Sequence, residues 1–203
     1  LDKKDGEILL LSEYGLDAQP FDTSGKSRVD WKDSTIRKWL NDDFYNSAFS
    51  EKEKENIVES KSEGFEEYNT SMNLTGGGKP YAYLEREIED KVFLLSNTEL
   101  CAYFSEDPYP GCYSDPYAHK ELLCYPTAYA KQQLETRYQT ETCGWWLCNH
   151  VYEDDSVELV SAYGQGSGTS RENIKANTKS IAVRPAMWVT WQSDMEMVEA
   201  NQQ

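Results

Sequence analysis

Five cysteines, two histidines and two arginines set in apolar segments are the residues of this chain best suited to chemistry. The cysteines are Cys101, Cys112, Cys124, Cys143 and Cys148. An odd count in a chain of 203 residues is not the framework of a small disulfide-stapled scaffold, and no pair shows CxxC spacing. Cys112 with Cys124 could close one loop and leave the others free. With only His119 and His150 to join the thiols, a zinc site is not expected. Cys143 and Cys148 invite an enzyme reading, yet the nearest imidazole is His150 and the neighbours are acidic. Nothing there lowers a thiol pKa recognisably. Inert thiols are the expectation, with no catalytic residue, no metal and no cofactor assigned.

Arg37 and Arg184 are tempting anion ligands, but both lie among core-type residues. A buried guanidinium must find partners, and its planar donors suit tying loop carbonyls and carboxylates together. Both are expected to do structural work. Trp145 and Trp146 are adjacent, so in a strand their rings face opposite sides. Trp145 is assigned to the core with Trp39 and Trp188. Trp146 is expected on the outer face or under the loops, as a candidate stacking platform. The carboxylate pairs Asp42-Asp43, Glu66-Glu67 and Asp154-Asp155 read as solvated surface, although the Glu153–Asp155 loop has the clustered oxygens a calcium ion would want. The run Gly76-Gly77-Gly78-Lys79 lacks the Ser/Thr ending of a phosphate loop and no apolar strand feeds it, so it reads as a turn.

Asp and Glu number 36 against 20 Lys and Arg, a formal net charge of −16. A field of that sign repels phosphate backbones and anionic lipid surfaces, so nucleic acid is not expected as a partner. No apolar run is long enough to span a bilayer, so no membrane insertion is expected within the chain. Leu1 to Gly6 reads as the end of one strand and a turn, which would start the chain inside a hairpin, its first strand or a leader lying upstream. The aromatic content, 13% with 6 Trp and 14 Tyr, argues that most of the chain folds.

The elements that must carry these residues follow from local patterns. Glu7–Ser12 reads as a buried strand. Asp33 or Ser34 caps a helix reaching about Asn41, with Ile36, Trp39 and Leu40 on one face. Ser50 and Glu53 have capping-box spacing and open a second helix to about Ile57-Val58. Residues 59–90 read as a long loop. Lys91–Ser96 reads as another buried strand, and Ser96 with Glu99 caps a helix through Phe104. Tyr125–Gln132 looks like a helix entered through Pro126. Gly144–Cys148 is an aromatic strand, Val157–Val160 a half-exposed one, and Ile181–Val189 should close the sheet. Residues 1–192 are thus expected to form a single domain, loop-rich at 59–90 and 148–180, with a polar tail at 193–203.

Four segments in this order resemble a known family. They are Ile8-Leu-Leu-Leu-Ser12; Thr35-Ile-Arg-Lys-Trp-Leu-Asn41 running into Phe44–Ser50; Lys91–Ser96; and Gly144-Trp-Trp-Leu147 with Val183-Arg-Pro-Ala-Met-Trp188. Together they resemble the bacterial domain of unknown function 6273. The aromatic strand followed by a Val-Arg-Pro-Ala strand is also similar to the C-type lectin-like fold, in the branch of formylglycine-generating enzymes and the variable receptors of diversity-generating retroelements. That resemblance implies an α+β fold: a small twisted antiparallel sheet, two or three flanking helices and a loop-rich ligand face. Cys148-Asn149 stand where the family usually has Arg-Ser. Formylglycine-generating enzymes bind copper through a cysteine pair, but Cys143 and Cys148 do not occupy those positions. The lectin sugar-site tripeptides Glu-Pro-Asn, Gln-Pro-Asp and Trp-Asn-Asp are absent, so calcium-dependent sugar binding is not expected.

The resulting expectation is a non-catalytic recognition module for a glycan or protein, presenting the 148–180 loops on a rigid scaffold. Its ligand-binding residues would be Trp146, Asn149, His150, Tyr152, Tyr163, Gln165, Arg171 and Asn173, a palette typical of adaptable binding loops. Alternatives are an oxidase-type enzyme using Cys143 or Cys148, and a structural domain of a larger bacterial surface protein. A secreted or cell-surface location is expected. The reading depends on the segments around Trp145 and Trp188 sharing one sheet.

Overall fold

The computed structural model describes residues 1–26, 29–61, 88–104, 120–135, 141–150, 156–165 and 174–191. The chain opens with a hairpin, β1 (Asp2–Lys4) against β2 (Glu7–Leu11), in the register Lys4↔Glu7. The two-residue turn needs positive φ at both positions, and Asp5 (51°) and Gly6 (83°) provide it. Among the residues of β2, only Leu9 is fully buried; Leu10 is 42% exposed. The strand expected to be buried therefore lies on a sheet open to solvent on one side. That sheet has the order β1-β2-β10-β4, in which β10 (Ala186–Thr190) pairs antiparallel with β2 and with β4 (Ile57–Val58).

The helical region is longer than its sequence pattern suggests. Ser34 caps α1 (Thr35–Trp39), its Oγ accepting from the Arg37 amide at 3.3 Å. A π-helical turn at Leu40–Phe44 then carries the backbone straight into α2 (Tyr45–Ala48). No Gly or Pro stands between residues 41 and 48 to stop it. The capping box at Ser50 and Glu53 forms, but α3 spans only Glu51–Lys54. The β-branched pair Ile57-Val58, expected to end that helix, instead supplies β4. Ser60–Lys61 (β5) pairs with Glu89–Asp90 (β6), two short strands where a loop was expected.

Ser96 and Glu99 make the predicted reciprocal cap on α4 (Asn97–Phe104). Pro126 lies in a strand, not in a helix: Tyr125–Pro126 (β7) runs parallel to β3 (Tyr14–Gly15). Thr127 then caps α5 (Ala128–Gln133), accepting from the Ala130 amide at 3.1 Å.

The aromatic strand β8 (Trp145–His150) pairs antiparallel with β9 (Val157–Val160) as a separate two-stranded sheet. The segments around Trp145 and Trp188 therefore do not share a sheet, against expectation. The cause lies in residues 181–186, which change partners along their length. Ala182 exchanges bonds with the β8 segment (Trp146 N to Ala182 O 3.1 Å, Ala182 N to Gly144 O 2.8 Å). Val183 bonds to Leu16 and Asp17, and Ala186 to Phe93. Pro185 has no N–H and cannot carry one ladder through, although its carbonyl accepts from Ser12 at 2.9 Å. Residues 91–96 bridge the same two sheets. Phe93 exchanges bonds with Ala186, while the Leu95 carbonyl accepts from Cys148, so this buried segment is no regular strand. Strand β9 is buried throughout, including Glu158 at 6% exposure, rather than half-exposed. The 174–176 segment covers it, with Ser156 bridging Lys175 and Ile174 packed on the core.

The whole is α+β, with mainly antiparallel short sheets around one core centred on Trp145, Trp146, Phe21, Leu9, Leu94 and Leu95. Among the described residues no helix is long and apolar enough to cross a membrane.

Candidate functional site

The side chains on β8 do alternate, but both faces of the strand are covered. Trp145 donates from Nε1 to the Leu122 carbonyl at 3.0 Å and lies under the Arg184 guanidinium, 4.9 Å from ring centroid to Cζ. Trp146 donates to the Gln19 carbonyl at 3.0 Å and meets Phe21 edge-on at 6.0 Å. Both rings are fully buried. Trp146, expected as an outer stacking platform, is core, because the 19–21 loop closes over the face that sequence alone leaves open. Asn149, expected on a binding loop, is a β8 residue only 3% exposed. The His150 ring, Tyr152, Arg171, Asn173 and the 153–155 carboxylates lie outside the described residues. Of the expected ligand residues, Tyr163 and Gln165 do come together. They share a tight turn whose amides both donate to Ser161 Oγ, at 3.3 and 3.2 Å, with Gly164 at φ 76°. Tyr163 is 59% exposed and Gln165 half-buried.

The two arginines differ in their surroundings. Arg37 Nε contacts the buried Asp90 carboxylate at 2.7 Å, and its other nitrogens reach the Lys32 and Glu89 carbonyls at 3.3 and 3.4 Å. Asp90 also accepts from Trp31 Nε1 at 2.8 Å and Asn41 at 3.3 Å, so one carboxylate joins three elements. Trp39 packs on Phe44 with centroids 5.3 Å apart, and Trp188 is half-buried against the core. Arg184 Nε donates to the Ser12 carbonyl at 2.7 Å, while its buried Nη1 has no hydrogen-bond partner among the described residues. Burial pulls the Arg184 pKa down, and Cys124, Cys143 and Glu13 nearby push it back up.

Two features were missed in the sequence. The first is a thiol pair. Cys143 donates its amide to the Cys124 carbonyl at 2.8 Å, and its Sγ lies 3.5 Å from the same oxygen. A Cβ on Gly15 would meet both sulfurs at 3.4 Å, so both lie against that glycine. The hydrogen bond from Cys143 is the main influence lowering the Cys124 thiol pKa, helped by Arg184; the same bond and burial hold the Cys143 thiol far up. Cys148, considered with Cys143 for an enzyme reading, faces Asn149 Oδ1 at 3.9 Å. The second is a set of exposed tyrosines. Tyr14 (46% exposed) is the direct cross-strand partner of Tyr125 (47%), and Tyr129 (57%) follows in the first turn of α5. No local pattern announces either feature: Cys124 and Cys143 stand 19 residues apart, and Tyr14 meets Tyr125 across more than a hundred residues of chain.

No three His, Cys, Asp or Glu side chains converge as a metal site among the described residues. Neither the curated proteins nor the solved structures contain a match to the chain. The model of the family described as "Domain of unknown function (DUF6273)" matches residues 5–191, nearly the full length, and the chain belongs to that family.

Proposed function

We propose that the chain is a non-catalytic recognition module on a C-type lectin-like scaffold, secreted or displayed at a bacterial surface, that binds a glycan or protein through exposed tyrosines. The observation that carries this reading is the cross-strand pairing of Tyr14 with Tyr125, both nearly half exposed, with the exposed Tyr129 four residues further along the chain. Paired residues on neighbouring strands project to one face. Tyrosines supply broad, rigid contact area at low entropic cost and offer a hydroxyl to a polar ligand. At a formal charge of −16, the ligand is neutral or cationic. The Tyr163 turn remains the described part of the loop face expected from sequence.

Glycan and protein arrays probed with the purified domain test the reading. A ligand found this way should bind about tenfold more weakly on Tyr14→Ala or Tyr125→Ala, the loss expected for one stacked ring. Loss confined to Tyr163→Ala would move the site to the 161–165 turn. Binding to nothing on either array would remove the recognition reading.

A further inference from the structure

We infer that Cys124 and Cys143 are a redox-active dithiol that closes to an intramolecular disulfide by exchange with a small-molecule disulfide of the glutathione type. The backbone places them suitably. An amide-to-carbonyl bond of 2.8 Å joins the two residues directly, so their backbones are in contact, as the short Cα separation of a disulfide, roughly 4.4–6.8 Å, requires. Both sulfurs lie against the same point above Gly15. Ring closure therefore needs side-chain rotation rather than movement of the backbone.

The two thiols are also unequal in a way that assigns roles. The Arg184 guanidinium is buried at 7% exposure, and its Nη1 lacks a hydrogen-bond partner among the described residues. A cation held this way favours an anion nearby, and a thiolate of this pair supplies one. We take Cys124 as the attacking sulfur and Cys143, whose thiol is turned to the Cys124 carbonyl at 3.5 Å, as the resolving one. In the first step the Cys124 thiolate attacks one sulfur of the small disulfide, forming a mixed disulfide and releasing one thiolate. In the second, Cys143 loses its proton to solvent and attacks the Cys124 sulfur, expelling the second small thiolate. The two protein thiols are oxidised to one disulfide, and the small disulfide is reduced to two thiols.

Access runs through the thinnest part of the fold. The sulfurs are buried, and their cover is the two-residue strand β3, paired with β7 over Tyr14 and Gly15 and anchored at its flanks by the Ser12 and Leu16 amides, which donate to Pro185 and Val183. Segments so briefly paired open locally without global unfolding.

The test is thiol mapping. The reduced, folded protein is incubated with glutathione disulfide, quenched in acid, alkylated and mapped by peptide mass. The expected result is a cross-link between the peptides carrying Cys124 and Cys143, two hydrogens lighter than their sum, with Cys148 alkylated. Cys143→Ser should stop at a stable glutathione adduct on Cys124, whereas Cys124→Ser should give neither adduct nor cross-link. A second arm refolds the protein from denaturant in the same buffer, which removes any barrier of access. Free Cys124 and Cys143 after that arm would overturn the inference, as would Cys124 linked to Cys112 or Cys143 linked to Cys148.

Discussion

Replacing Asp90 with alanine should be among the most damaging single substitutions at a polar position. Its carboxylate is buried at 5% exposure and accepts from Arg37 Nε (2.7 Å), Trp31 Nε1 (2.8 Å) and Asn41 Nδ2 (3.3 Å). Asn41 keeps the Arg37 and Val92 carbonyls, so its loss is small. The buried indole N–H of Trp31 is left without its acceptor, at about 1–3 kcal/mol. The charge-assisted bond from Arg37 is worth about 1.5–3 kcal/mol, and Arg37 stays only partly solvated. Together the expected cost is about 3–5 kcal/mol, a large part of the roughly 5–15 kcal/mol that holds a domain folded. Urea unfolding followed by tryptophan fluorescence reads this directly, since Trp31 sits at the lesion. Asp90→Asn retains the shape and one acceptor, so it should cost about half as much. In a double-mutant cycle, Asp90→Ala and Arg37→Ala should be strongly non-additive, because the second change removes a charge already stranded. A loss below about 1 kcal/mol for Asp90→Ala, or additivity with Arg37→Ala, would refute the view that this carboxylate ties the elements together.

Two further outcomes follow from local geometry. Gly15→Ala places a methyl 2.8 Å from the Ala182 Cβ and 3.4 Å from both sulfurs. It should destabilise by about 1–3 kcal/mol, a fall of roughly 3–10 °C in Tm; an unchanged Tm by differential scanning fluorimetry would contradict it. Tyr103 has its pKa raised to about 12 by burial first, then by Glu99 and Asp2. Its neutral form is favoured by the fold, so its contribution is intact below pH 10 and is lost as pH climbs toward about 12. After allowance for solvent screening the loss is on the order of 1 kcal/mol. Wild type should lose more stability than Tyr103→Phe between pH 9 and pH 11.5 in denaturant titrations, and equal losses would count against it.

What the sequence made legible was what neighbours in the chain decide. The Asp5-Gly6 turn, the Ser50/Glu53 and Ser96/Glu99 boxes and the aromatic strand β8 each depend on residues a few positions apart, and each formed. The Ser50 box still misled about length, because Ile57-Val58 gain more from β10 than from extending a helix. The site was harder to read. Whether Trp146 faces solvent depends on Phe21, and Tyr14 meets Tyr125 only through a parallel pairing without a local signal. Alternation along β8 correctly put Trp145 and Trp146 on opposite faces, yet it could not say that both faces would be covered. The thiol pair was hidden for the same reason, since Cys143 meets Cys124 through a backbone bond between residues 19 apart.

The stretch from Ala182 to Ala186 acts as a seam. Within five residues it is stitched to β8, to the Leu16–Asp17 loop, to Ser12 and to Phe93. Neither sheet can peel away without tearing these stitches, so the two sheets melt as one unit although they share no ladder. In deuterium exchange the amides of Ala182, Val183 and Ala186 should be released only by global unfolding, long after those of the short β3–β7 pair.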